Sequence, residues 1–208
     1  MIKDQKIKKF MDTLASKSAT PGGGSVAALT GAMGSALVSM VGNLTLGKEK
    51  YQEVEDDIKN ILKKSEKLRN ELENLAERDV EVFNQFMATL KLPKETKEQK
   101  KERKEKMQIA LFEAANVPLE VARKCQELLD ICQEIAEKGN KNVISDAGVG
   151  AILAQAAFDS AILNVKVNLP MIRDERIKEE LNTEIKNLTI LTKEKKEEIV
   201  KIVLAKIE

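Results

Sequence analysis

Apolar residues recur every three or four positions through most of the chain, a spacing that is typical of amphipathic α-helices. The longest such run extends from Tyr51 to Leu90 without a glycine or proline, and it predicts one long helix. A shorter run over residues 2–14 predicts a first, short helix. Because no segment alternates apolar and polar residues as a half-buried strand does, the pattern predicts an all-α fold.

Four further helices are predicted in the second half of the chain. The charged segment from Lys94 to Lys106 predicts a solvated turn and the start of a helix that continues to about Val117. Pro118 is expected to open the next helix at its first position, and Gly139 is expected to end it. Another helix is predicted from Ala147 to Leu169, and a charged amphipathic helix completes the chain.

Two of the predicted helices are apolar on nearly all sides. The segment from Ser18 to Gly47 carries no charge, and the helix from Ala147 to Leu169 carries only Asp159 and Lys166. The first segment is long enough to span a membrane, but its scattered Ser, Thr, Asn and Gly residues favour a fully buried helix. We therefore predict that residues 1–208 form a single-domain bundle of long helices around these two apolar, small-residue-rich helices. Since such hairpins leave apolar surface uncovered, we expect a homodimer.

Composition excludes several kinds of chemistry. The 35 basic and 34 acidic residues give a net charge of +1, and there is no Trp and a single Tyr, which argues against a nucleic-acid partner. The absence of His excludes Ser-His-Asp catalysis and His-ligated zinc, and we expect no metal site. Cys125 and Cys132 lie about 10 Å apart along one predicted helix, too far for a disulfide. Reduced cysteines and an amino terminus without a signal-peptide core predict a cytoplasmic protein.

Asp79 is the first candidate for chemistry, because it occupies an apolar position of the long helix. The apolar face there runs through Leu72, Leu75, Asp79, Val82 and Phe86. Burial raises the pKa of a carboxyl group, which would suit a general acid or base in a protein without His. Alternatively, Asp79 lies at a solvated edge of the helix or forms an ion pair with a basic residue.

Two glycine-flanked segments are the other candidates. The sequence "PGGGS", from Pro21 to Ser25, has glycines that allow the backbone to approach a ligand, and Ser25 could cap the following helix. A plain turn explains it equally well. In "ISDAGVG", Ser145 or Asp146 could cap the second apolar helix, which also carries Asn164 and Asn168. These asparagines could satisfy core neighbours or hold a ligand, and together with Asp79 the two segments could line a single cleft.

These segments, taken in order, resemble the cyclodeaminase/cyclohydrolase family, which includes the carboxyl-terminal domain of formiminotransferase-cyclodeaminase and separate bacterial methenyltetrahydrofolate cyclohydrolases. The resemblance covers about residues 10–169. It is carried by "PGGGSVAALTGAMGSALVSMVGNLT", "ERDVEVFNQFMATLKLPK", "GNKNVISDAGVGA" and "LNVKVNL". It implies an all-helical, dimeric enzyme that acts on one-carbon derivatives of tetrahydrofolate and needs no cofactor beyond that substrate.

The resemblance also implies roles for individual residues. The family's catalytic aspartate falls on Asp79, with Phe83 after it. The family's other motifs, which we expect to bind the folate, fall on Pro21, Gly22, Gly23, Gly24, Ser25, Lys94, Ser145, Asp146, Asn164 and Asn168. No formiminotransferase domain is present in this sequence, which favours cyclohydrolase activity over formiminotetrahydrofolate cyclodeaminase activity. The alternative of another class is a non-catalytic helical scaffold in which Asp79 sets the register of helix packing.

Overall fold

A computed structural model describes residues 2–208, and within that range every regular element is helical. This confirms the predicted all-α fold. The six α-helices are α1 (Ile7–Leu14), α2 (Gly23–Asn43), α3 (Glu55–Leu90), α4 (Lys97–Lys138), α5 (Ile144–Asn168) and α6 (Glu175–Ile207). Short 3-10 helices cover Glu49–Val54, Lys141–Val143 and Leu169–Met171.

The two uncharged helices, α2 and α5, pack against each other and against the longer helices. Their backbones come so close that a Cβ atom on Gly34 would lie 2.9 Å from the carbonyl oxygen of Gly150. Small residues therefore make this contact possible. Complete burial is not observed, however, because Met33 on α2 and Leu163 on α5 remain 55% and 69% exposed. Each helix has a buried side in the bundle and an exposed apolar side.

These two segments also have the length and hydropathy of membrane spans. Residues 23–43 and 141–171 both pass such a test, although more than half of each tested window is buried inside the bundle. Core helices of soluble proteins have the same properties. The burial of one side of each helix against α3, α4 or α6 favours the core-helix interpretation.

The long helix begins later than predicted. Residues Glu49–Val54 form a 3-10 turn, and α3 starts at Glu55. Tyr51 leaves helical geometry, with φ −115° and ψ 15°, and its hydroxyl accepts a hydrogen bond of 3.1 Å from the amide of Lys141. A tertiary contact with the 3-10 helix Lys141–Val143, just before α5, thus competes with the local helical pattern.

The predicted helix break before Pro118 is wrong, because α4 continues through it from Lys97 to Lys138. A proline inside a helix has no N–H for the carbonyl four residues earlier, here that of Ala114. The side-chain amide of Asn168 donates a 2.9 Å hydrogen bond to that oxygen. The cysteines behave as predicted, since Cys125 and Cys132 on α4 are buried and free.

We predict that Asn168 and Pro118 are energetically coupled through the Ala114 carbonyl. Asn168→Ala should lower the free energy of unfolding by about 1 kcal/mol, because it leaves the partly buried carbonyl of Ala114 without this donor. In a Pro118→Ala background the same change should cost less, since the new N–H at position 118 can bond Ala114. Urea unfolding of the four proteins measures this difference. Equal costs in both backgrounds would contradict the coupling.

Candidate functional site

A cavity of about 260 Å³ lies where the start of α2 meets the middle of α3 and the end of α5. It is lined by Ala19, Thr20, Gly22, Gly23, Gly24, Asp79, Val82, Phe83, Phe86, Ala114, Asn164, Val167 and Asn168. We call it the Asp79 pocket. A larger groove along α6 shares none of these residues and is lined mainly by charged and polar side chains of that one helix.

Asp79 projects from α3 towards the first turn of α2. Its Oδ2 accepts a 2.8 Å hydrogen bond from the Oγ of Ser25, and Ser25 itself is fully buried. The same hydroxyl lies 3.2 Å from the carbonyl oxygen of Ala76, one turn earlier on α3. The helix cap is Gly22, so the suggestion that Ser25 caps α2 is wrong. Its hydroxyl instead orients the carboxylate.

Gly24 makes room for that carboxylate. A Cβ atom at Gly24 would overlap the carboxyl group of Asp79, whereas one at Gly23 would lie 3.4 Å from Asn164 in ordinary contact. The two adjacent glycines therefore differ in what they permit. Gly24 is required for the close approach of α2 to Asp79, and Gly23 leaves the pocket open beside Asn164.

The environment of Asp79 raises its pKa above the ordinary value of 3.8. The main cause is burial, which penalises the charged carboxylate. Hydrogen bonds from the hydroxyl and backbone amide of Ser25 act in the opposite direction and lower the pKa. The carboxyl group is thus held between a partly apolar pocket and two donors, which is suitable for reversible proton transfer.

Asn164 and Asn168 project into the pocket from the last turns of α5. The Nδ2 of Asn164 donates a 2.8 Å hydrogen bond to the carbonyl of Ser160, one turn earlier. The Nδ2 of Asn168 is occupied by the carbonyl oxygens of Ala114 and Asn164, both at 2.9 Å. Both N–H groups of Asn168 are used internally, whereas Asn164 uses one of its two. The two amide oxygens and one N–H of Asn164 are therefore the groups that remain for a ligand.

The remaining walls are largely apolar and carry no positive charge. Val82, Phe83 and Phe86 come from α3, and Val167 comes from α5. The two phenylalanines can contact the face of a planar ring. Asp79 is the only charged residue among the lining residues. The described pocket therefore suits a flat ligand that has hydrogen-bond donors or a positive charge near Asp79.

The structure brings together some of the predicted site residues and separates others. The predicted residues that line the pocket are Gly22, Gly23, Gly24, Asp79, Asn164 and Asn168. Ser25 does not line it but donates a hydrogen bond to Asp79, and Pro21 links the lining residues Thr20 and Gly22. Lys94 lies on the exposed loop after α3 and does not line the pocket. The end of α3 at Leu90 is about 16 Å beyond Asp79 by helical rise.

Ser145 and Asp146 also lie away from the Asp79 pocket within the chain. They occupy the first turn of α5, about 33 Å from Val167 by helical rise. Neither caps the helix, which has no side-chain cap. Instead, the side chain of Asn140 accepts a 3.1 Å hydrogen bond from the amide of Asn142 before the helix begins. The predicted capping role of Ser145 or Asp146 is therefore wrong.

Four lining residues were not singled out from the sequence. Ala19 and Thr20 lie before the glycine loop, Ala114 faces the pocket from α4, and Val167 lies between the two asparagines of α5. Pro118 could have indicated Ala114, because a proline inside a helix frees the carbonyl four residues earlier. Thr20 and Val167 carry no distinctive sequence signal.

Within residues 2–208 there is no cluster of three His, Cys, Asp or Glu residues that could hold a metal ion.

Comparison with known proteins assigns the chain to a family. The family model for formiminotransferase-cyclodeaminase matches residues 6–187. A methenyltetrahydrofolate cyclohydrolase of Methylorubrum extorquens is 50% identical over 188 residues, which cover 90% of both chains. A formimidoyltransferase-cyclodeaminase of Rattus norvegicus is 32% identical over 89% of this chain, which spans only 34% of that longer protein.

One solved structure is similar to this chain both in fold and in sequence. The crystal structure of a formiminotetrahydrofolate cyclodeaminase from Thermotoga maritima superposes with a TM-score of 0.89 at 32% identity. The match covers 99% of this chain and 98% of that one. The chain therefore belongs to the formiminotransferase-cyclodeaminase family.

Proposed function

We propose that this protein is a methenyltetrahydrofolate cyclohydrolase, which converts 5,10-methenyltetrahydrofolate and water to 10-formyltetrahydrofolate. The observation that carries the proposal is the 50% identity, over 90% of both chains, to a methenyltetrahydrofolate cyclohydrolase. The formimidoyltransferase-cyclodeaminases are less similar, at 32% identity for the rat protein, and most of their length has no counterpart here.

The electrostatics of the Asp79 pocket support this substrate. The one-carbon bridge between N5 and N10 of 5,10-methenyltetrahydrofolate carries a positive charge. The pocket has one carboxyl group and no Lys or Arg among its lining residues. An ionised Asp79 therefore attracts the bridge, while the surrounding apolar walls strengthen that attraction by excluding water.

Asp79 can serve both proton transfers of the reaction. Water adds to the bridge carbon and forms a C–O bond, and the carboxylate takes the proton that the water loses. The protonated Asp79 then donates this proton to N5 as the C–N5 bond breaks. The new hydroxyl group loses its proton to solvent and becomes the formyl C=O on N10. Consumption of the cation thus releases one proton overall.

The rest of the pocket would orient the folate. The oxygens of Asn164 and Asn168 are suitable acceptors for ring N–H groups, and Phe83 and Phe86 can stack on the pterin or the aminobenzoyl ring. Lys94, at the far end of α3, is better placed for the anionic glutamate end than for the pterin. Ser145, which is exposed, and Asp146, which is half-buried, lie at the opposite end of α5 and cannot reach this pocket from the same chain.

A spectrophotometric assay tests the proposal. The purified protein is added to 5,10-methenyltetrahydrofolate, and loss of its near-ultraviolet absorbance is followed against buffer. We expect acceleration far above the spontaneous rate. No acceleration, with ammonia released from 5-formiminotetrahydrofolate instead, would assign the protein to the cyclodeaminase reaction, which makes the same two proton demands.

The competing hypothesis is that the protein is not an enzyme but a non-catalytic helical scaffold. It requires that the Asp79 pocket binds no folate, so calorimetry separates the two hypotheses. We expect heat of binding with 10-formyltetrahydrofolate, and a weaker signal with Asn164→Leu, which removes an acceptor and fills the pocket. The absence of heat with every folate tested would favour the scaffold.

We predict that Ser25→Ala moves the acid limb of the pH profile to higher pH. Loss of a hydrogen bond to the carboxylate favours its protonated form, so the pKa of Asp79 rises further and the base is lost sooner as pH falls. The midpoint of the acid limb in the pH profile of kcat/KM should move up by about one pH unit. Ser35→Ala is the matched control, because Ser35 is also a fully buried serine of α2 but bonds the Ser65 carbonyl. An unchanged midpoint in Ser25→Ala would contradict the role of this donor.

The assembly and cellular setting belong to the same proposal. We propose a cytoplasmic homodimer that uses no cofactor or metal beyond its folate substrate and that binds neither nucleic acid nor membrane. The exposed apolar sides of α2 and α5 support a dimer, since a second subunit would remove them from water. The nearly balanced charge gives no electrostatic attraction to nucleic acid.

A further inference from the structure

We infer that a basic groove at the start of α4 binds the carboxylates of a γ-linked oligoglutamate tail on the folate substrate. The groove encloses about 390 Å³ and is lined by Lys97, Lys100, Lys101, Lys104, Glu105 and Arg173. We call it the α4 basic groove. The inference rests on the proposed function, because it specifies which form of that substrate the protein prefers.

The groove has a large excess of positive charge. Five of its six lining residues are basic, and Glu105 is the single acidic one. Within residues 2–208 none of the five basic side chains forms an ion pair, whereas the neighbouring Lys106 is paired with Glu102 at 2.6 Å. All five are exposed. They are therefore available to a ligand that carries several negative charges.

The position of these lysines on α4 does not serve the helix itself. The first turn of a helix carries a partial positive charge from its free N–H groups, so acidic residues are favourable there and lysines are not. Lys97 and Lys100 nevertheless lie in or next to this turn, and Thr96 and Gln99 form the capping box that stabilises it. The helix end adds to the attraction that the lysines exert on an anion.

Arg173 is held beside the lysines by a specific contact. The side chain of Gln108 donates a 3.0 Å hydrogen bond to the carbonyl of Met171 and accepts one of 2.8 Å from the amide of Arg173. Gln108 thus fixes the segment between α5 and α6 against α4. The groove therefore has basic side chains from two elements, and a guanidinium can bind a carboxylate through two parallel hydrogen bonds.

The groove lies further along the same helix that closes the Asp79 pocket. Ala114 lines that pocket, and Lys104 and Lys100 line the groove. By helical rise they are about 15 and 21 Å from Ala114. Their sequence intervals from Ala114 are close to three and four helical turns, so all three residues share one side of α4. A ligand can therefore extend from the pocket to the groove along a single helix.

A folate with several glutamates has the length to do so. Under the proposed function the pterin and the aminobenzoyl ring occupy the Asp79 pocket and its mouth. Each further γ-linked glutamate extends the tail by about 6 Å, since two methylene groups are added to the roughly 3.6 Å of an α-linked residue. Two or three added glutamates therefore reach Lys104 and Lys100, and each brings one more carboxylate.

The charges of the two cavities match the two ends of this substrate. The Asp79 pocket has one carboxyl group and no basic lining residue, which suits the cationic one-carbon bridge. The α4 basic groove has the opposite charge, which suits the anionic tail. This complementarity, together with the shared helix, favours an oligoglutamate tail over an unrelated acidic peptide.

Kinetics with two forms of the substrate test the inference. 5,10-Methenyltetrahydrofolate with one glutamate is compared with the form that has five, at low ionic strength. We expect KM to be about tenfold lower for the pentaglutamate, because several exposed ion pairs act together although each contributes little. The kcat values should be similar, and added salt should reduce the difference in KM by screening. Equal KM values for the two substrates would overturn the inference.

Removal of two charges tests the location of the tail. Lys100→Gln combined with Lys104→Gln should raise KM for the pentaglutamate by about fivefold or more, while the monoglutamate, which does not extend to the groove, serves as the internal reference. Lys186→Gln combined with Lys193→Gln is the matched control, because it removes the same charge from exposed positions of α6. An equal rise of KM in both double variants would show an effect of net charge and overturn the inference.

Binding of the tail alone tests the groove without catalysis. A fluorescent γ-linked pentaglutamate is titrated with the protein, and its anisotropy is followed. We expect binding by the wild type and by the α6 control, and at least about fivefold weaker binding by the Lys100–Lys104 double variant. An α-linked pentaglutamate of the same charge is the comparison. If it binds at the groove while the pentaglutamate substrate has no advantage in KM, the groove holds an acidic polypeptide and the inference is wrong.

The outcomes separate this inference from the proposed function. Turnover of both folates with equal KM, and no binding of the γ-linked peptide, would overturn the tail site while leaving the cyclohydrolase proposal in place. Absence of turnover with either folate would remove the proposed function. Binding of the γ-linked peptide that depends on Lys100 and Lys104 would then still support an oligoglutamate site at the groove.

Discussion

Asp79→Asn is expected to lower the rate of 5,10-methenyltetrahydrofolate hydrolysis by about 10²–10⁴-fold, the usual contribution of a general acid or base. The amide has nearly the same size as the carboxyl group and can still accept the hydrogen bond from Ser25. It cannot take a proton from water or return one to N5. The initial rate of absorbance loss measures the effect, with circular dichroism to establish that the helical fold is retained.

Asp56→Asn is the matched control for this substitution. Asp56 lies on the same helix and its side chain is 98% exposed, with one ion pair to Lys59. Such exposed pairs contribute little to stability, and the residue is far from the pocket. We expect wild-type activity. Near wild-type activity in Asp79→Asn would remove Asp79 from the mechanism.

The second large effect is expected from Gly24→Ala. The added methyl group would overlap the Asp79 carboxyl group, so either α2 moves away from α3 or the carboxylate leaves its position beside Ser25. We expect kcat/KM to fall by about 10²-fold or more, because small displacements of a catalytic group have such effects. Alanine is otherwise favourable in a helix. We therefore expect the loss of kcat/KM to be larger than the change in the free energy of unfolding, measured by urea unfolding, would explain.

Gly23→Ala provides a close comparison. Its methyl group would make only an ordinary contact with Asn164, so we expect a much smaller loss of activity than in Gly24→Ala. Comparable losses in the two variants would contradict the steric explanation. The comparison separates the effect of one displaced carboxylate from a general effect of alanine in the glycine loop.

Much of the fold could be predicted from the sequence because local and tertiary preferences agree. The apolar spacing through Leu72, Leu75 and Val82 predicted α3, and the uncharged segments predicted α2 and α5. The same spacing identified Asp79 as the unusual residue of its helix. The structure places that residue in a pocket with the glycine loop.

The failures have specific physical causes. Pro118 normally marks a helix start, but here Asn168 supplies the hydrogen bond that the proline removes, and α4 continues. Ser145 and Asp146 have the residue types of a helix cap, yet it is the side chain of Asn140 that accepts the backbone hydrogen bond in the turn before α5. Both outcomes depend on contacts between residues that are distant in sequence or on the conformation of the preceding turn. Neither can be inferred from helical periodicity alone.

The central claim is that Asp79 moves protons at the one-carbon bridge of a bound folate. A crystal structure of the protein with 10-formyltetrahydrofolate tests it most directly, through the distance between the Asp79 carboxyl group and N5. We predict a direct hydrogen bond or a single bridging water between them, with the ring against Phe83 or Phe86. A folate bound outside this pocket, or with N5 turned into solvent away from Asp79, would contradict the mechanism.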